Sequence, residues 1–175
     1  MAVLVLDSAP LSTFARARQL PMLDRLFESD ERVTTTAVIE ELREGLAAHP
    51  ELQDAIDLPW LRVENLANLK ELRLFAEYAR RLGAGMHDIG EATVLAWAEA
   101  HGATAFTDDD VAVQIGRERR VNVVRTLSLV ARGVRHDLLT ESEADRLVDE
   151  LLRAGGRFPF RPGEFILWAR DQGLL

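Results

Sequence analysis

The chain has 175 residues, 47% of them hydrophobic and 29% charged, with a formal net charge of −8. Such a length fits one domain with a core of ordinary size, and the negative balance argues against a surface that holds nucleic acid through its overall field. The lack of any cysteine excludes a disulfide framework and a thiolate metal site.

The opening residues, MAVLVLDS, have no basic n-region and reach an acid at Asp7. Residues 2–6 therefore read as a strand buried on both faces, not as a secretory leader. No apolar run approaches the roughly 18 residues of a membrane span, and the expected location is cytoplasmic. Ser8 is placed to cap the next helix and Pro10 suits its first turn. Helical spacing covers 11–20 and 22–27, with Pro21 as the break between them. A short strand is expected near 32–34, then a helix over 37–48 capped by Thr35 or Thr36 and closed by His49-Pro50. Residues 51–56 read as a short helix, 60–63 as a strand and 68–82 as a long amphipathic helix.

Gly83 and Gly85 mark a loop before a helix that starts near Asp88. Beyond it, 103–106 is a strand, 111–119 a helix, 121–124 the last strand, and 126–135 and 141–153 two further helices. Strands alternating with helices predict an α/β fold with a mainly parallel sheet. After Gly155-Gly156 the tail FPFRPGEFILWARDQGLL regains apolar residues. It reads as a helix packed back on the core, with a dimer or partner surface as the alternative.

In an open parallel sheet, ligands sit outside the carboxyl ends of the strands. Asp7 follows the first strand and the run Asp108, Asp109, Asp110 follows a later one, so these acids converge if the strands are neighbours. A single strand-end aspartate is more often a cap or turn residue. Helix geometry at about 100° per residue separates Glu40 from Glu41. Glu40 lies opposite the face formed by Val38, Leu42, Gly45 and Leu46, whereas Glu41 lies at its edge and can reach inward. Glu91 falls among Val94, Leu95 and Ala98 on a helix apolar on nearly all sides, as a buried helix is. A capping box from Asp88 to Glu91 is its structural alternative.

Carboxylates sharing one pocket repel, and some then titrate high. A hard divalent cation such as Mg²⁺ or Mn²⁺ relieves that repulsion and suits phosphodiester chemistry. Arg117, Arg119, Arg120, Arg125, Arg132 and Arg135 form the main basic concentration, read either as a solvated flank or as a rim for a nucleic-acid backbone. No GxxxxGK[ST], no GxSxG and no HExxH occurs, and no GxGxxG follows the first strand. His49, His87, His101 and His136 are scattered.

LVLDS, TTTAVIEELREG, DIGEATVLAWA and TAFTDDDVA resemble the successive motifs of PIN-domain nucleases, with a likeness to the VapC-type toxins paired with small antitoxins. The resemblance spans about residues 2–157 and includes the stretch from VVRTLSLVARG to LLRAGGRF. It implies a three-layer α/β/α sandwich, a PIN-like domain over 1–157 and an appended tail over 158–175. It also implies Mg²⁺- or Mn²⁺-dependent endoribonuclease activity, commonly as a homodimer whose antitoxin blocks the site. By position, the metal-binding and catalytic acids are Asp7, Glu41, Glu91 and Asp109, with Thr107 orienting an acid or a bound water. The triple run leaves Asp108 and Asp110 as alternatives to Asp109, and Asp88 as either ligand or cap. Two other readings stay open: a non-catalytic nucleic-acid-binding or regulatory module on the same scaffold, and a DNA- or structure-specific nuclease.

Overall fold

The computed structural model describes residues 2–27, 30–83 and 89–175. Its elements, in chain order, are β1 (Val3–Leu6), α1 (Ser8–Arg16), α2 (Leu20–Phe27), β2 (Glu31–Thr35), α3 (Thr36–Gly45), α4 (Leu52–Ile56), β3 (Arg62–Glu64) and α5 (Leu69–Leu82). There follow α6 (Ile89–His101), β4 (Thr104–Phe106), α7 (Asp110–Glu118), β5 (Asn122–Val124), α8 (Thr126–Arg135), α9 (Glu141–Arg153) and α10 (Phe165–Asp171). The five strands pair in the order β3-β2-β1-β4-β5, and every pairing is parallel. Helices cover both faces, which is why Leu4, Val5 and Leu6 of the central strand are almost wholly buried.

The chain leaves β1 towards β2 and β3 on one side and returns with β4 and β5 on the other. The crevice of such a sheet opens where that order reverses, at the carboxyl ends of β1 and β4. Leu6 is in register with Phe106 and Thr34, and the Asp7 N–H extends the ladder to the Phe106 carbonyl at 3.0 Å. Asp7 therefore stands beside Thr107.

α6 packs across β1, β2 and β4 and against α3, α5 and α7. Its residues 92–98 are all buried, so the helix needs no polar face. At its far end Glu99 accepts two hydrogen bonds from Arg119, each 2.7 Å, and a third from the Tyr78 hydroxyl at 2.5 Å. Arg119 also reaches Glu77 at 2.5 Å and lies 5.1 Å from the centre of the Tyr78 ring. One guanidinium thus ties α5, α6 and α7 together.

The helix expected over 37–48 ends at Gly45 and the strand expected over 60–63 is shifted to Arg62–Glu64, and two helix starts also differ from the sequence expectation. Asp7, not Ser8, is the N-cap of α1: its Oδ1 accepts the Ser8 N–H at 2.8 Å. Pro21 lies inside the first turn of α2, where its missing N–H costs nothing. The break falls before it, at Arg18, whose φ is 57°. The tail folds back through α10 on α9, with Phe165 fully buried and Phe160 in ring contact with Phe158, Phe165 and Trp168.

Candidate functional site

Asp7 is wholly buried, yet its second oxygen is supplied by the chain: the Thr107 hydroxyl donates to Oδ2 at 2.6 Å. The same hydroxyl accepts the Asp109 N–H at 3.2 Å, so one side chain couples the ends of β1 and β4. Glu41 arrives from α3. Its Oε1 accepts the Gly90 N–H at 2.7 Å in the first turn of α6, where the helix dipole favours an anion. A Cβ on Gly90 would lie 2.5 Å from both carboxylate oxygens of Glu41, so only glycine leaves room for this seat. Glu40, one residue earlier, is exposed and paired with Arg43.

Glu91 points into the same space from the next position of α6. Its Oε2 is buried and has no hydrogen-bond partner among the described residues. Oxygens of Asp7, Glu41 and Glu91 all lie within 4.8 Å of one another. A buried unpaired carboxylate oxygen costs free energy unless something outside the chain satisfies it.

The electrostatics show the strain. Burial pushes Asp7 up to about 7, against the opposing hydrogen bonds from Thr107 and Ser8, with Glu41 and Asp109 adding to the rise. Glu91 is pushed up to about 8, first by burial and then by the Asp7 charge, with Glu41 and Asp109 contributing further. These are two acids of one interacting set, and they release their protons as a set.

The three aspartates after β4 have three different tasks. Both oxygens of Asp108 are taken by Thr126, the backbone N–H at 2.8 Å and the hydroxyl at 2.6 Å, which closes the start of α8. Asp110 is 88% exposed and paired with Arg125. Asp109 caps α7 through the Ala112 N–H at 2.7 Å and lines a cavity of about 290 Å³ with Glu91 and Asp108. It stands outside the trio of Asp7, Glu41 and Glu91. Asp88 lies outside the described residues.

The arginines at 117–120 do not form a rim here. α7 runs about 13 Å from its cap at Asp109, returning from the carboxyl end of β4 towards the amino end of β5. That carries Arg117, Arg119 and Arg120 away from the acids, and Arg119 is bound to Glu77 and Glu99. Arg132 pairs with Asp30, and Arg135 donates to the Leu174 carbonyl. Arg125, at the start of α8, is the one member of that group beside the cleft.

With this geometry in view, the model of the PIN-domain family matches residues 3–162. The chain belongs to the PIN-domain family. No curated protein matches it in sequence. Among solved structures, a chain of the crystal structure of VapBC2 from Rickettsia felis bound to a DNA fragment from their promoter is similar in fold. The TM-score is 0.50 at 14% identity, over 70% of this chain and 98% of that one.

Within this PIN domain, sequence reasoning missed two supporting residues. Gly90 carried a local hint, a glycine inside a helical pattern, which points to close packing or function. Arg157, which lines the cavity with Glu91 and Asp109, had no sequence signal at all, because its position depends on how the chain turns after α9.

Proposed function

We propose that this chain is a Mg²⁺- or Mn²⁺-dependent endoribonuclease and the toxin of a toxin–antitoxin pair. The observation that carries the reading is the meeting of buried Asp7 with half-buried Glu41 and Glu91, one Glu91 oxygen being buried without a partner among the described residues. An all-oxygen donor set of this kind suits a hard divalent ion. When bound, such an ion supplies water activation and neutralises charge on the phosphate.

The chain's residues prepare that chemistry. Asp7, Glu41, Glu91 and Asp109 would hold the cation. Thr107 fixes the Asp7 carboxylate, and Gly90 fixes that of Glu41, so neither must reorganise on loading. Asp7 and Glu91, both raised towards neutrality, would give up their protons to hold such a cation. The small antitoxin and the homodimer belong to the same proposal, supported by family membership and the likeness to VapBC2.

Asp7→Asn is expected to abolish Mg²⁺-dependent cleavage of RNA while leaving the thermal midpoint no lower than wild type. Undiminished cleavage by that variant contradicts the reading. RNA and DNA substrates assayed side by side separate it from a DNA-specific nuclease, which would cut only the latter.

A further inference from the structure

The C-terminal strap that leaves α9 forms one wall of the acid cleft. Gly155, at φ 98°, turns the chain back, and its N–H reaches the Leu152 carbonyl at 3.0 Å. Gly156 follows with its N–H on the Leu151 carbonyl at 2.9 Å. A Cβ there would come within 2.9 Å of the Leu151 carbonyl oxygen and 3.1 Å of the Phe158 ring. Side chains are therefore barred from the turn, and the next residue, Arg157, is delivered to the cleft. The far end of the strap is held as well. Asp149 accepts the Gly163 N–H at 2.7 Å, Asp145 accepts the Ile166 N–H at 3.1 Å, and Phe165 is fully buried.

Arg157 lines the cavity of about 290 Å³ together with Glu91 and Asp109. It also lines an adjoining recess of about 120 Å³, shared with Arg125, Phe158 and Trp168. Arg157 is exposed, and among the described residues it has neither a hydrogen-bond nor an ion-pair partner. That separates it from Arg119, Arg132 and Arg170, whose guanidinium groups are already engaged. Arg125 is only partly engaged, since its Nε is buried without a partner while another nitrogen meets Asp110.

We infer that Arg157 binds a backbone phosphate of the RNA strand next to the one facing the acids, with Arg125 across the adjoining recess taking a further phosphate. An acidic cleft repels a polyanion, and a cation mounted on its rim offsets that repulsion at one place in the strand. Arginine suits the task because its planar fork matches two phosphate oxygens at once. The Phe158 and Trp168 side chains, which line the recess with the two arginines, give it an apolar wall for the sugar and base that join consecutive phosphates. The inference rests on the nuclease reading for its substrate, and it adds the residue that sets how the strand lies.

The test is fluorescence anisotropy of a labelled single-stranded RNA oligonucleotide with the full chain in Ca²⁺, across a range of salt concentrations. Arg157→Ala is expected to weaken binding about tenfold and to lower the salt slope by about 1. Arg157→Lys restores the slope but only part of the affinity, because it keeps the charge and loses the fork. Arg117→Ala, which removes an exposed cation from the far end of α7, leaves both unchanged. The thermal midpoint of Arg157→Ala stays at the wild-type value, since no partner is lost. If wild-type protein cleaves RNA with Mg²⁺ while Arg157→Ala binds with the same affinity and slope, the inference is overturned and the nuclease reading stands. If wild-type protein binds RNA through Arg157 but cleaves none, the inference stands and the nuclease reading falls.

Discussion

Two clusters of charged residues sit on opposite ends of α6, and they behave in opposite ways. At its C-terminal end, Glu99 is matched by Arg119 and the Tyr78 hydroxyl, and the Arg119 hydrogen bonds hold the Glu99 carboxyl below its ordinary range. At its N-terminal end, Asp7, Glu41 and Glu91 face one another, with hydrogen bonds but, among the described residues, no ion-pair partner, and two of the three are pushed up. Each cluster gathers around one glutamate of the same helix, Glu99 or Glu91. The difference lies in whether the described residues supply the counter-charge. Where they do, the cluster is a rivet; where they do not, it carries the unbalanced negative charge on which the proposed cation site rests.

The largest test of that contrast is Glu91→Gln. Cleavage is expected to fall by at least ~100-fold, since even outer partners of a metal site cost 10–100-fold. Metal-free stability should rise towards high pH, because a carboxylate charge disfavoured by burial and by Asp7 has gone. The pH dependence separates the two effects. Asp7 and Glu91 titrate higher in the folded state, about 7 and about 8, than their ordinary 3.8 and 4.5. Between those limits the folded state holds more protons, so metal-free stability falls as pH rises from about 4 towards 8. Thermal midpoints taken across that range should show the decline in wild type and a flatter profile in Glu91→Gln. An identical profile in both would sink the idea that the acid trio is under strain.

At the rivet the expectation reverses. Arg119→Ala leaves Glu99 and Glu77 without their cation. The Arg119 and Glu99 side chains are only 20% and 26% exposed. Solvent screening trims the cost from that of a fully buried pair to about 2 kcal/mol. Denaturant midpoints measure this, while RNA cleavage per folded molecule should stay at the wild-type level. The smallest effect belongs to Gly90→Ala. Its methyl group would meet both Glu41 oxygens at 2.5 Å and displace that carboxylate from its seat. Mn²⁺ affinity should drop several-fold with little change in melting temperature, and an unaltered affinity would show that the seat does not matter.

Much of this was legible in the sequence, for identifiable reasons. Short runs of β-formers between turn signals mark the parallel strands, so β1, β4 and β5 could be placed to within about a residue. Helix periodicity alone separated exposed Glu40 from Glu41, because the two point about 100° apart. The tasks of Asp108, Asp109 and Asp110 could not be divided that way. Asp108 is claimed by Thr126, 18 residues further on, and only the pairing of β4 with β5 brings the two together. The arginines near 117–120 looked like a rim because they are clustered in sequence, but the direction of α7 takes them away from the acids, and Arg119 joins the rivet. Arg157 was silent for the converse reason: a lone cation gains meaning only after the Gly155-Gly156 turn places it.

The most direct test of the central claim is a calorimetric titration of the metal-free protein with Mn²⁺ at pH 7, repeated in buffers of different ionisation enthalpy. If the acids form an unbalanced site, Mn²⁺ binds and expels protons held by Asp7 and Glu91, so the apparent enthalpy shifts with the buffer. Asp7→Asn and Glu91→Gln should each reduce that proton release. Absence of binding, or binding in wild type that releases no protons, would contradict the account.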